Sequence, residues 1–204
     1  MNYYLKRIFY SMKIEIVSER YFGTNCYIVY DEKSGKCAVI DPASEKAAEA
    51  VKKLSLTPEF ILLTHGHFDH ISGVNGFLAE YDIPLYIHEN DAELLTDGYK
   101  NASSLLIGGN ITVTAEPRTL KAGDELSLGE LKLTVVHTPG HTRGCVCYFC
   151  GDSVFTGDTV FAYDRGRTDL YGGDETAIID SIHKLLPLLK GKTVYPGHGP
   201  KRTF

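Results

Sequence analysis

Cysteine is scarce and unevenly numbered in this chain, five residues (Cys26, Cys37, Cys145, Cys147 and Cys150) in 204. An odd set without a secretory segment argues against a disulfide-stapled scaffold and predicts free thiols in a reducing compartment, the cytoplasm. Surplus positive charge is missing as well: 21 Lys and Arg face 26 Asp and Glu, a formal charge of −5. A nucleic-acid surface needs a basic stripe to displace counterions, so no nucleic-acid partner is expected. Residues 1–11 carry scattered aromatics but no continuous apolar core and no small-residue cleavage site. They do not read as a signal peptide, and neither secretion nor membrane contact is expected. Met12, followed by Lys13-Ile14-Glu15-Ile16-Val17, makes a natural start for a first strand, which leaves 1–11 as an upstream-start extension.

With 43% apolar residues the chain can bury a full core, and 1–204 reads as a single domain. What it holds in abundance is imidazole in one place. His65-Gly66-His67-Phe68-Asp69-His70 packs four metal-binding side chains into six residues. The run follows the apolar Phe60-Ile61-Leu62-Leu63-Thr64, a buried strand, and precedes Ile71, Val74, Leu78 and Tyr81 at helical spacing, so the ligands sit on a strand-to-helix turn. Three later segments repeat the grammar: His141, Asp158 and His198 each follow a short apolar strand and a glycine, Gly140, Gly157 and Gly197. Strand ends with bend-forming residues let distant elements aim side chains at one cleft. The five histidines and two aspartates suit borderline transition metals, zinc, iron and manganese alike. An inert structural zinc site fits less well, because such sites are usually cysteine-rich and closed.

These motifs, in this order, resemble the metallo-β-lactamase superfamily over residues from about Met12 to His198. The resemblance implies an α/β fold, a four-layer αββα sandwich. It also implies a first metal on His65, His67 and His141, a second on Asp69, His70 and His198, and Asp158 bridging both. The stretch Gly157-Asp158-Thr159-Val160-Phe161, with Gly166-Arg167-Thr168-Asp169-Leu170 and Gly172-Gly173, is similar to the glyoxalase II-like branch. That branch hydrolyses S-acyl-glutathione thioesters such as S-lactoylglutathione. Its longer members carry a C-terminal helical domain, whereas six residues follow His198 here, so the likeness is to a short form. The implied activity is dinuclear hydrolysis of a small-molecule thioester by hydroxide bridging two divalent ions, zinc first, with Asp69 and Asp158 as catalytic groups. Arg167, Arg143 and Arg165 are candidates for a substrate carboxylate, local ion pairing being the plainer use of each. A mono-iron glutathione persulfide dioxygenase, using His65, His141 and Asp158, shares the Thr138–Thr142 and Gly166–Asp169 stretches and is the alternative. A metal-buffering or redox module built on Cys145, Cys147 and Cys150 and an exported lactamase rank lower. The nuclease branch is disfavoured by charge and by the lack of room for its inserted domain.

Periodicity predicts strands near 13–17, 26–30, 37–41, 60–64, 125–128, 131–136, 145–150, 153–156 and 193–195. Helices are predicted near 44–55, capped by Ser44, and near 174–190, capped by Asp174, with Pro187 bending or shortening the last turn. The turn-rich 97–118 is expected to wall the cleft. His88 and His137 are candidates for orienting ligands, and His183 for a plain helix position.

Overall fold

The computed structural model describes residues 12–204, so the extension read over 1–11 lies outside the described residues. The first sheet runs in the order β1 Met12–Ser18, β2 Asn25–Asp31, β3 Lys36–Ile40, β4 Thr57–Leu62, β5 Leu85–His88 and β6 Arg118–Leu120. The second places β7 Glu125–Leu128, β8 Leu131–His137, β9 Val146–Cys150, β10 Ser153–Gly157, β11 Thr193–Pro196 and β12 Arg202–Thr203 side by side. Within it β10 pairs with β11 in parallel and with β9 antiparallel.

Strand side chains alternate between faces, and here both faces of the central strands are apolar. Tyr27, Val29, Ala38, Ile40, Phe60 and Leu62 turn inward to meet Leu133, Val135, Tyr148 and Phe155 of the second sheet. Their neighbours Cys26, Ile28, Cys37, Val39 and Ile61 turn outward and pack under helices α1 Lys46–Lys53, α2 Phe68–Ile71 and α3 Val74–Glu80. On the far side Cys147, Val154 and Val194 pack against Leu185 and Leu189. Those leucines belong to the long C-terminal helix, which follows the single turn α4 Ser103–Leu106 and is labelled α5, Glu175–Leu189. The layers are therefore helix, sheet, sheet, helix, as expected. All five cysteines are free and buried, and burial pushes the Cys147 and Cys150 thiols up to about 11. This is packing chemistry, not redox chemistry.

Several boundaries differ from the expectation. Glu45, not Ser44, stands at the α1 cap and makes no capping bond, because the first amides are already taken: Ala47 N–H donates to Ser44 O and Ala48 N–H to Glu45 O. Asp174 does cap α5, accepting from Ala177 N–H at 2.9 Å, and the helix continues through Pro187 to Leu189. The helix after His70 is broken in two at Gly73, where a Cβ would lie 2.6 Å from the carbonyl oxygens of Pro42 and Ser44. The short β5, β6 and β12 and a 3₁₀ helix over Glu89–Thr96 were not among the expected elements. Among the described residues no helix is long and apolar enough to cross a membrane.

Candidate metal centre

The loops after β4, β8, β10 and β11 meet at one edge of the sandwich. Glycine makes the convergence possible at two kinds of position. At Gly140 the backbone takes φ +138 against the start of α5, a conformation a side chain would strain. At Gly66 a Cβ would lie 2.5 Å from Leu94 Cβ, so what is required there is space.

Three groups of side chains could hold a cation: His65, His67 and His141; Asp69, His70 and His198; and His65, His70 and Asp158. Within each, the donor atoms lie within 4.8 Å of one another. Asp158 stands between the first two groups. Its Oδ1 is 3.4 Å from His70 Nε2, while its Oδ2 is 3.5 Å from both His141 Nε2 and His198 Nε2. Asp69 Oδ2 is 3.3 Å from His198 Nε2 and accepts the Thr24 hydroxyl at 2.7 Å. Every residue of the predicted ligand set is thus in this cluster.

Buried, unsatisfied donors test whether the cluster suits a metal. His65 Nε2, His67 Nε2, His70 Nε2 and Asp158 Oδ1 are buried without a hydrogen-bond partner. Leaving such atoms unpaired is costly, and a divalent cation is the partner this donor set fits.

The ring nitrogens that face away from the cluster are held. His70 Nδ1–H donates to Asp41 Oδ2 at 2.9 Å. Thr64 spends its hydroxyl proton on the same oxygen, which leaves its lone pair to accept from His65 Nδ1–H at 3.1 Å. His141 Nδ1–H donates to the Arg167 carbonyl at 2.6 Å. Each contact fixes the tautomer that turns Nε2 into the cluster. Asp91, fully buried, accepts Gly66 N–H, the Thr142 hydroxyl and Gly144 N–H at 3.0, 2.7 and 2.7 Å, and so ties the first ligand loop to the one bearing His141.

Electrostatics sort the histidines. Burial, reinforced by His141, drives His67 down to about 3, and His65 falls well below its ordinary value by burial and its cationic neighbours. For His70 burial acts in the same direction, but Asp69, Asp158 and Asp41 outweigh it and raise the ring. Burial would raise Asp158, yet His70, His141 and His198 bring it down to about 2.

Sequence reasoning missed Asp41 and Asp91. Asp41 had a signal, since it ends the apolar β3 as the ligands end their strands. Asp91 had none. The orienting role expected of His88 and His137 belongs to Asp41, Thr64 and the Arg167 carbonyl. The two histidines instead stack on each other at 4.1 Å and 9°. All three candidate arginines are engaged locally: Arg167 forks onto Asp169 at 2.6 and 2.7 Å, Arg165 pairs with Glu175 at 2.5 Å, and Arg143 lies 5.4 Å over the Tyr171 ring. The 97–118 segment does form a wall, through Ala102 and Leu106, and Asn101 ties it down by donating to Leu94 O and Ile111 O.

A sandwich carrying a His/Asp metal site at one edge defines a metallo-hydrolase, and the chain belongs to the metallo-β-lactamase superfamily, whose model matches residues 20–198. It is 38% identical over 182 residues to the probable metallo-hydrolase YqgX of Bacillus subtilis, covering 87% of this chain and 85% of that protein. It is 30% identical over 199 residues to the hydroxyacylglutathione hydrolase GloC of Haemophilus influenzae, covering 95% and 92%. Among solved structures it matches the BLEG-1 B3 metallo-β-lactamase with a TM-score of 0.88 at 37% identity, covering 94% of each chain. TTHA1623 in a di-iron-bound form matches with a TM-score of 0.80 at 34% identity, covering 93% of this chain and 94% of the other.

Proposed function

We propose that the chain is a dinuclear metal-dependent hydrolase of small-molecule thioesters of the S-acyl-glutathione type. Asp158 carries the reading, because this one carboxylate reaches both ligand trios, with Oδ2 3.5 Å from His141 Nε2 and from His198 Nε2 and Oδ1 3.4 Å from His70 Nε2. His65, His67 and His141 hold one cation, Asp69, His70 and His198 the other, and Asp158 contributes to both. Two such ions, zinc by ligand type with iron or manganese also served by these donors, supply a water of lowered pKa and a Lewis acid for the carbonyl oxygen.

The protein's own groups do the rest. Asp69, fixed by Thr24 and His198 and ionised because His70 and His198 overcome its burial, presents a carboxylate that can orient a water or accept its proton. Asp41 and the Arg167 carbonyl hold His70 and His141 in register. Among the described residues lining the cleft there is no serine or cysteine, in keeping with direct attack by water rather than through an acyl-enzyme. The likeness to the Haemophilus influenzae hydroxyacylglutathione hydrolase supports a thioester as the substrate. The mono-iron reading would use His65, His141 and Asp158 and leave the equally compact Asp69, His70 and His198 trio idle.

The test is elemental analysis of freshly purified protein, paired with S-lactoylglutathione hydrolysis, β-lactam hydrolysis and oxygen uptake on glutathione persulfide. Two metals per chain with thioester cleavage is the expected result. One iron with oxygen consumption, or turnover of the β-lactam alone, overturns it.

A further inference from the structure

Resting on the hydrolase reading above, we propose that the preferred acyl group is an unbranched hydrocarbon chain several carbons longer than acetyl, not a small hydroxylated acyl such as lactoyl. It is held on an apolar wall of Phe22, Phe68, Leu106 and Leu170. These side chains line one cleft of about 150 Å³ together with the ligand residues His67, Asp69, His141, Asp158 and His198. The wall and the metal site are thus two sides of the same space.

Three observations carry the assignment. The wall is built of large apolar groups left open: Phe22 is 47% exposed and Leu106 48%, although the sandwich has ample core to cover them. The Phe22 ring stands edge-on to buried Phe68 at 4.9 Å, which gives the exposed ring a fixed backing. The space, finally, is shared, since the one cleft bounded by this wall is also bounded by the ligand residues, and a chain lying on the wall is continuous with a carbonyl at the metal site.

The polar inventory points the same way. Apart from the ligands, the one polar side chain among the described residues lining the cleft is Arg167, whose Nε and Nη2 donate to Asp169 at 2.6 and 2.7 Å, a fork that does not use Nη1. The Thr24 hydroxyl nearby is spent on Asp69. The apolar side chains Phe22, Phe68, Leu106 and Leu170 offer a lactoyl hydroxyl no hydrogen-bond partner, whereas each methylene laid against them gains. Full burial of a methylene corresponds to about fourfold in binding, and a half-open wall should return about twofold.

The experiment uses the metal-loaded full chain and a series with one thiol: S-acetyl-, S-lactoyl-, S-butanoyl- and S-hexanoylglutathione, compared by kcat/KM. Hexanoyl should exceed acetyl by at least about tenfold, as four methylenes at roughly twofold each require, and should exceed lactoyl as well. Leu106→Ser and Phe22→Ser, at partly exposed positions, should flatten that ratio. A flat or falling series, or a ratio untouched by both substitutions, overturns the proposal. Binding of the uncleavable thioethers S-methyl- and S-hexylglutathione, measured by calorimetry, separates the two layers of argument. Tighter hexyl binding without turnover of any thioester keeps the wall and sinks the hydrolase. Equal binding sinks the wall alone.

Discussion

His70 and Asp41 form a fully buried pair, Nδ1 to Oδ2 at 2.9 Å, and this contact between the end of β3 and the first ligand loop decides which nitrogen of His70 faces the cluster. Asp41→Asn keeps the shape but removes the charge and offers an amide that can turn its donor toward the ring. Substitutions of such supporting partners typically cost about 10–100-fold in metal affinity. A competitive chelator titration should show a loss of that size for the ion held through His70, with the His65 site weakened as well because Thr64, which holds His65, donates to the same Asp41 oxygen.

Asp91 makes a sharper structural prediction. Its carboxylate satisfies donors from Gly66, Thr142 and Gly144, and Asp91→Ala leaves the Gly66 and Gly144 amides buried without that partner and the Thr142 hydroxyl with only Cys145 Sγ at 3.1 Å. At about 1–3 kcal/mol for each unmet group, with some relaxation, a stability loss of roughly 2–5 kcal/mol is expected in urea unfolding. Metal content should fall along with it, because two ligand loops lose their common anchor. Unchanged stability would show that the loops are held by something else.

Asp158→Ala should abolish hydrolysis and reduce bound metal below two ions per chain, since one side chain serves both trios. His198→Ala should cripple thioester cleavage while leaving the His65, His67 and His141 trio able to take one ion. Turnover counts beside elemental analysis decide it: intact thioester cleavage in His198→Ala would defeat the two-metal mechanism.

The stacked His88 and His137 give a pH prediction independent of the metal. Burial, helped by the neighbouring His137, lowers His88 from its ordinary 6.5 to about 4. Between those values the unfolded chain binds a proton that the folded chain refuses, so stability falls as pH drops from about 6.5 toward 4 and levels off below. Denaturant midpoints across that window should decline less steeply in His88→Asn than in the parent protein. Parallel slopes would remove His88 from the account.

Much of the fold was legible because the sheets obey a short period. Cys26, Tyr27, Ile28 and Val29 alternate between two cores, and this apolar run is what placed a strand near 26–30. Elements that were missed include Leu85–His88 and the break at Gly73, whose cause is a close approach to Pro42 and Ser44 that no local pattern records. Arg167 shows the other limit. Its side chain was the obvious candidate, yet its backbone carbonyl is what touches His141, and no side-chain pattern reports a carbonyl.

The sequence by itself determined the donor set, because imidazoles and carboxylates beside bend-forming glycines at strand ends are a local pattern with few other uses. Only the tertiary structure decided who orients those donors, which arginines are already paired, and which apolar side chains face the cleft. The orienting contacts join residues tens of positions apart, Asp41 to His70 and Arg167 to His141, set by sheet register and loop packing, and a linear chain carries no record of them until the sheets close.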